Sequence, residues 1–243
     1  RVNLIGDHTD YNDGFVLPVA INFGTDVAAS KRNDRIIRVY AHDCGQETIE
    51  FSLDDITFDP NNMWGNYVKG TIKVLQESDT AFFKGLSGAN IAISGNVPQG
   101  AGLSSSASLE IAILNIMVKL YDLSLDGVTA AKFGCNCGIM DQLISAMGKQ
   151  GSAMLLDCQD FSFEDALIPD DISLFIVNSN VKRGLVDSEY NLRREQCEAV
   201  AKHFGSTTLR EVSLAQLNKA RAELDPVLFQ RAHHVLTENE RTV

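Results

Sequence analysis

Residues Pro98-Gln99-Gly100-Ala101-Gly102-Leu103-Ser104-Ser105-Ser106-Ala107-Ser108 decide how this chain is read. They stand between a short apolar stretch, Ala89–Ser94, and a long run from about Ser105 to Tyr121 whose polar stripe (Ser108, Asn115, Lys119, Asp122) is narrow. The first reads as a strand, the second as a helix buried between layers. Gly100 and Gly102 let the backbone turn tightly and approach a ligand without a Cβ in the way. Consecutive N–H groups at the start of the helix, reinforced by its dipole, favour a polyanion. The serines add hydroxyl donors and a candidate Mg²⁺ ligand. A Gly/Ser helix cap with no ligand would share these glycines, but the spacing Pro-x-Gly-x-Gly-Leu-x-Ser-Ser-Ala is much more restrictive. It is neither the Walker A pattern nor the dinucleotide fingerprint.

Upstream of the loop the chain reads as strands joined by turns. Phe15–Ala20 and Ile36–Ala41 are apolar and β-branched and follow the turn signals Asn12-Asp13-Gly14 and Arg32-Asn33-Asp34, and Glu47–Leu53 alternates polar with apolar. Met63–Gln76 reads as a helix carrying Trp64, Tyr67, Val68, Ile72 and Leu75. Downstream, Gly134–Gly138 leads into a helix with Met140, Leu143, Ile144 and Met147 on one face. Strands are expected at Ala153–Asp157 and Leu174–Asn178, then helices at Ser188–Phe204, Ser213–Leu224 and Pro226–Asn239. The turn cluster Pro169-Asp170-Asp171 is the expected boundary, giving domains 1–170 and 171–243.

Composition narrows the function classes. With 243 residues and 44% hydrophobic content the chain can bury a core, which excludes a disordered or fibrous protein. A net charge of −11 argues against nucleic acid or an anionic membrane as partner. It leaves a phosphate ligand open, because backbone N–H groups hold phosphates locally. No apolar run approaches the ~18–20 residues of a membrane helix. Five scattered cysteines (Cys44, Cys135, Cys137, Cys158, Cys197) fit a reduced, cytoplasmic compartment, and Cys135 with Cys137 lacks the second pair that a zinc site needs. Arg1 in place of Met and a helical pattern running to Val243 read as the ends of an incomplete chain.

Asp141 is expected in the first turn of its helix, where the dipole keeps a carboxylate ionised and able to accept a hydroxyl proton. From position alone a cap of the helix is the commoner role for such an Asp. Asp7, His8 and Asp10 cluster after Gly6, a composition suited to sugar hydroxyls or, equally, to a solvated loop.

The 98–108 loop resembles the phosphate-binding motif of the galactokinase, homoserine kinase, mevalonate kinase and phosphomevalonate kinase superfamily. Within it, Arg1-Val2-Asn3-Leu4-Ile5-Gly6-Asp7-His8-Thr9-Asp10-Tyr11-Asn12 is similar to the galactokinase sugar-binding signature. Cys137-Gly138-Ile139-Met140-Asp141-Gln142 resembles the galactokinase stretch with the catalytic aspartate, and Ser188–Arg194 and Leu236–Arg241 also look like galactokinase segments.

The resemblance implies an α+β fold, a two-lobed small-molecule kinase with its active site in the cleft and its C-terminal lobe truncated here. It implies ATP-dependent phosphorylation of the C1 hydroxyl of galactose, with Asp141 as base and Arg1 polarising the transfer. The sugar would meet Arg1, Asp7, His8, Asp10, Gly138, Asp141 and Tyr190. Gly100, Ala101, Gly102, Leu103, Ser104, Ser105 and Ser106 would hold the ATP phosphates, and Ser106 the Mg²⁺. The partners implied are galactose and ATP alone, on a monomer. Two departures stand out. Asp7 replaces the family's usual Glu, one methylene shorter. The stretch Ala130–Gly134 is short by roughly ten residues, almost three helical turns, and with them goes the Glu that coordinates Mg²⁺, as if residues were omitted. Two rival readings remain: a kinase for another galactose-like sugar, and a catalytically silent galactose/ATP sensor, against which Ser105-Ser106-Ala107 is complete.

Overall fold

The computed structural model describes residues 1–78, 86–133, 138–179 and 186–243. They form two compact units, each discontinuous in sequence. Arg1, the described residues from 21 to 136, and 141–147 make one; 2–20, the described residues from 137 to 140, and 148–243 make the other.

In the first unit a four-stranded sheet runs in the order β4 (Thr25–Lys31), β7 (Ala89–Gly95), β5 (Ile36–Ala41), β6 (Glu47–Ser52). Strands β5 and β7 are parallel, with Ile37 opposite Ala89 and Ala41 opposite Ile93; the other pairings are antiparallel. The alternation in β5 explains its placement: Ile37, Val39 and Ala41 are buried, while Arg38 points outward and pairs with Glu50. Helices α1 (Met63–Ser78) and α2 (Ser105–Tyr121) share a core with the sheet. Helix α1 contributes Val68, Ile72 and Leu75 at helical spacing, and α2 contributes Ile113, Leu114 and Met117. Only Asn115 and Lys119 of α2 are exposed, so its expected polar stripe and burial are both present. The helix ends at Asp122, in the left-handed region (φ 58°), and the Tyr121 hydroxyl ties it to the Ser87 carbonyl at 2.6 Å. Two short helices, α3 (Gly127–Phe133) and α4 (Met140–Met147), follow.

The second unit is built on β8 (Ser152–Asp157), four of whose six residues are buried and none exposed. It pairs antiparallel with β2 (Phe15–Val16), β3 (Pro18–Val19) and β9 (Phe163–Leu167), and β1 (Val2–Asn3) extends the sheet beyond β3. Helices α5 (Val186–His203), α6 (Leu214–Lys219) and α7 (Pro226–Thr242) form a separate core around Cys197, Val200, Leu209, Leu217, Ala232 and Val235. Local sequence sets their starts. Ser213 and Gln216 form a reciprocal capping box on α6. Asp225 caps α7 ahead of Pro226 at its first position.

The structure corrects several expectations. The division does not fall near residue 170, because β8 takes β2 and β3 as partners and so draws 148–167 into one unit with 2–20. The stretch 174–178 is not a strand: it has no ladder partner among the described residues, and Phe175 and Val177 are 89% and 88% exposed. A strand needs a neighbour for its backbone groups as well as β-branched residues. The helix expected over 213–224 stops at Lys219. Strands β4 and β9 went unforeseen: Ala28, Ala29 and Ser30 are weak strand formers, and β9 is exposed along most of its length. Cys135 and Cys137 lie outside the described residues, whereas Cys158 and Cys197 are buried free thiols. Among the described residues no helix is long and apolar enough to cross a membrane.

Candidate active site

In the first unit the loop after β7 carries three consecutive-but-one residues in the left-handed region: Gly100 (φ 68°), Gly102 (φ 73°) and Ser104 (φ 60°). Glycine adopts this conformation freely; for serine it is uncommon. Ser104 occupies the N-cap of α2, yet its side chain makes no cap. Its hydroxyl donates instead to Asp141 Oδ2 at 2.6 Å. The first-turn N–H groups, next to Ser105 and Ser106, are therefore not taken by the residue that ordinarily satisfies them.

Asp141 lies in the first turn of α4, as expected. Its other oxygen, Oδ1, accepts from Arg1 Nε, and an Arg1 terminal nitrogen lies 2.5 Å from the same oxygen. Arg1 also donates from Nη1 to the Gly102 carbonyl (3.1 Å) and from its backbone nitrogen to the Leu103 carbonyl (3.1 Å). One guanidinium thus ties the loop to the carboxylate, and the loop's own Ser104 closes the ring. A carboxylate has about four lone-pair sites, so Asp141 keeps acceptor capacity beside these donors.

One helical turn into α2, Glu110 is buried and accepts from Gln142 Nε2 at 3.0 Å, which links α2 to α4 beside Asp141. Burial pushes the Glu110 carboxyl up to about 7, with the Asp141 charge adding and the Gln142 bond opposing. A carboxyl held protonated in the fold but ionised above about 4.5 when unfolded stabilises fully at low pH and loses that contribution as pH rises to about 7. Thermal unfolding should therefore show a melting temperature that falls between pH 4.5 and 7. The slope should be smaller in Glu110→Gln, and equal slopes would remove Glu110 as its source.

In the second unit the residues 2–20 wrap into a tight loop. Gly6 (φ 97°) packs so closely that a Cβ would meet the Phe15 carbonyl and Val16 Cα within 2.7 Å. Thr9 is fully buried, its hydroxyl 2.7 Å from the Gly6 carbonyl and 2.6 Å from that of Phe15. Helix α7 holds this loop from outside. Glu238 Oε1 accepts from the backbone N–H groups of Gly6 (2.8 Å) and Asp7 (3.1 Å), and Asn239 Oδ1 from that of Phe15 (2.7 Å). His234 Nε2 donates to the Asp7 carbonyl at 2.9 Å.

Asp7 Oδ1 accepts from Asn3 Nδ2 at 2.9 Å, so the shortened side chain is engaged within its own loop. The Gly138 N–H donates to the Tyr190 hydroxyl at 3.3 Å, and a Cβ on Gly138 would run into the Asp10 carboxylate. The His8 ring lies 5.8 Å from that of Tyr11 and 6.2 Å from those of Tyr190 and His234. Burial first, then the Arg193 and His234 charges, lowers His8 to about 4, so its imidazole is neutral at pH 7.

The expected residues thus gather in two groups: Arg1, Gly102, Leu103, Ser104 and Asp141 in one unit, and Asp7, His8, Asp10, Gly138 and Tyr190 in the other. Ser104 as partner of Asp141, Glu110 with Gln142, and the supports Glu238, Asn239 and His234 went unrecognised. Only the last three had a signal, since they sit in or beside the Leu236–Arg241 segment.

Residues 66–149 match the GHMP kinases N-terminal domain, and residues 1–31 match the galactokinase galactose-binding signature. Mevalonate kinase from Methanococcus jannaschii superposes with TM-score 0.59 at 17% identity over 98% of this chain and 77% of that one. A D-glycero-D-manno-heptose 1-phosphate kinase from Bacteriodes thetaiotaomicron gives 0.54 at 17% over 100% and 77%. Over residues 66–149 the chain thus matches the GHMP kinases N-terminal domain, and it shares the fold of these kinases. Its first residues carry the signature of the galactokinases, and Lactococcus lactis galactokinase, solved with galactose, matches at TM-score 0.86 and 31% identity over 99% of this chain. The chain spans 65% of that protein's length.

Proposed function

We propose that this protein is a galactokinase, transferring the γ-phosphoryl group of ATP to the anomeric hydroxyl of galactose. The observation that carries the reading is the Asp141 carboxylate fixed by Arg1 and Ser104 against the glycine loop. The galactokinase signature over 1–31 and the likeness to a galactose-bound galactokinase support the choice of sugar.

In this reading Asp141 accepts the proton of the attacking hydroxyl. Arg1 stabilises charge developing on the transferred group, and the loop N–H groups of 100–106 receive the phosphates. Asp7, His8, Asp10, Gly138 and Tyr190 bind the sugar, and little is asked of the protein beyond position and field. Magnesium belongs to this proposal as the companion of the nucleotide phosphates, with the Ser106 hydroxyl its candidate ligand. Among the described residues no three His, Cys, Asp or Glu side chains cluster to hold a metal, so these residues do not by themselves fit a resident cation.

The bond between Asp7 and Asn3 favours a second reading, a kinase tolerant of galactose-like sugars altered where the usual Glu would reach. A coupled ADP-release assay over galactose, 6-deoxygalactose, glucose and mannose tests both. The expected result is turnover on galactose and none on glucose or mannose. Equal turnover on 6-deoxygalactose would select the second reading, and no sugar-dependent ADP release would sink both.

A further inference from the structure

Among the three signature side chains, Asp7 and Asp10 carry carboxyl groups, and a carboxylate only accepts hydrogen bonds. A sugar hydroxyl both donates and accepts, so His8 has to supply the donor. Which ring nitrogen carries its proton is decided by its neighbours, since a neutral imidazole has one donor nitrogen and one acceptor.

The Tyr11 hydroxyl lies 2.9 Å from His8 Nδ1. Tyr11 belongs to the short 3₁₀ turn Asp10–Asn12, and its ring packs edge-on against both His8 and Tyr190, at 5.8 and 5.3 Å. The buried thiol of Cys197, on α5, lies beside the phenol and interacts electrostatically with it. Two arrangements of three protons can satisfy this row. In one, the thiol turns its proton to the phenol and the phenol donates to Nδ1. In the other, Nδ1–H donates to the phenol and the phenol turns its proton to sulfur. Sulfur is a weak acceptor and an imidazole nitrogen a good one, so the first arrangement wins.

We infer that Tyr11 is a positioning residue for the sugar site: its hydroxyl, donating to Nδ1, locks His8 in the Nε2–H tautomer and makes the ring a hydrogen-bond donor to a sugar hydroxyl oxygen. The sugar part of this inference rests on the functional reading above; the locked tautomer does not. Burial works in the same direction. It raises the Tyr11 phenol well above its usual value, keeping the proton that the lock needs, and it keeps His8 neutral.

Long-range ¹H–¹⁵N spectra of the histidine rings in the sugar-free protein test the lock directly, with His8→Gln used only to assign the signal. The expected wild-type signal is protonated Nε2 with an acceptor-like Nδ1. Tyr11→Phe, which removes one oxygen and keeps the ring, should give a mixture of tautomers. Cys197→Ala should leave the lock in place. A wild-type proton on Nδ1, or an unmixed Nε2–H ring in Tyr11→Phe, overturns the inference. In turnover, Tyr11→Phe should raise the KM for galactose about two- to ten-fold, the size of one neutral hydrogen bond, with kcat and the KM for ATP unchanged. A shift in the KM for ATP equal to that for galactose would mark general damage and overturn the positioning role. A locked ring in a protein that turns over no galactose supports the lock and overturns the functional reading instead.

Discussion

Replacing Asp141 with Asn is expected to lower kcat by about 10²–10⁴-fold, the range for loss of a general base, while galactose and ATP still bind. The geometry makes this substitution unusually clean. Asn Oδ1 can keep its place before the Arg1 guanidinium, which now lies 2.5 Å from Asp141 Oδ1. Asn Nδ2 can take the place of Oδ2 and donate to the Ser104 hydroxyl, which rotates from donor to acceptor without moving its oxygen. The ring of contacts from loop to carboxylate therefore survives with one proton redistributed, and basicity is what disappears. Single-turnover kinetics with calorimetry for both ligands would measure this. Wild-type kcat in Asp141→Asn would take Asp141 out of the chemistry. A loss of ATP binding would instead make it a structural support of the loop.

The second large effect is expected from Gly138→Ala. The added methyl would occupy the space of the Asp10 carboxylate, and the Gly138 N–H that meets the Tyr190 hydroxyl would shift with it. Asp10 must swing aside or residue 138 must retreat; either way the two no longer present one surface to a sugar. Loss of a hydrogen bond to a charged acceptor is worth ~1.5–3 kcal/mol, so the KM for galactose should rise roughly 10- to 150-fold. The KM for ATP should hold, since the loop lies in the other unit. An unchanged KM for galactose would mean that Asp10 does not touch the sugar.

Much of this was legible in the sequence because it is written in local rules. Glycine spacing and the narrow polar stripe gave the loop and helix α2 to the residue, and the last two helices were expected to begin at Ser213 and Pro226, where the structure starts them within a residue. What stayed hidden depends on distant partners. Nothing in the sequence around Ser104 says that its hydroxyl turns away from its own helix toward residue 141. Glu110 looks like a surface residue on an apolar helix until Gln142 covers it. Arg210 lies over the Phe15 ring at 4.1 Å and pairs with Asp157 at 3.0 Å, a bracket assembled from three separated segments. The opposite failure, 174–178, followed from trusting β-branched composition where, among the described residues, no strand forms a ladder with it.

The grip of helix α7 on the first loop sets an order of events during synthesis. The acceptor for the Gly6 N–H is 232 positions downstream, and that for Phe15 is 224. At ribosomal speeds of ~5–20 residues per second, a nascent chain would wait roughly 10–50 s between making the loop and making the side chains that fix it. Through that interval the signature segment is chemically complete and conformationally unfinished. Its shape waits on side chains that are made more than two hundred residues after its own.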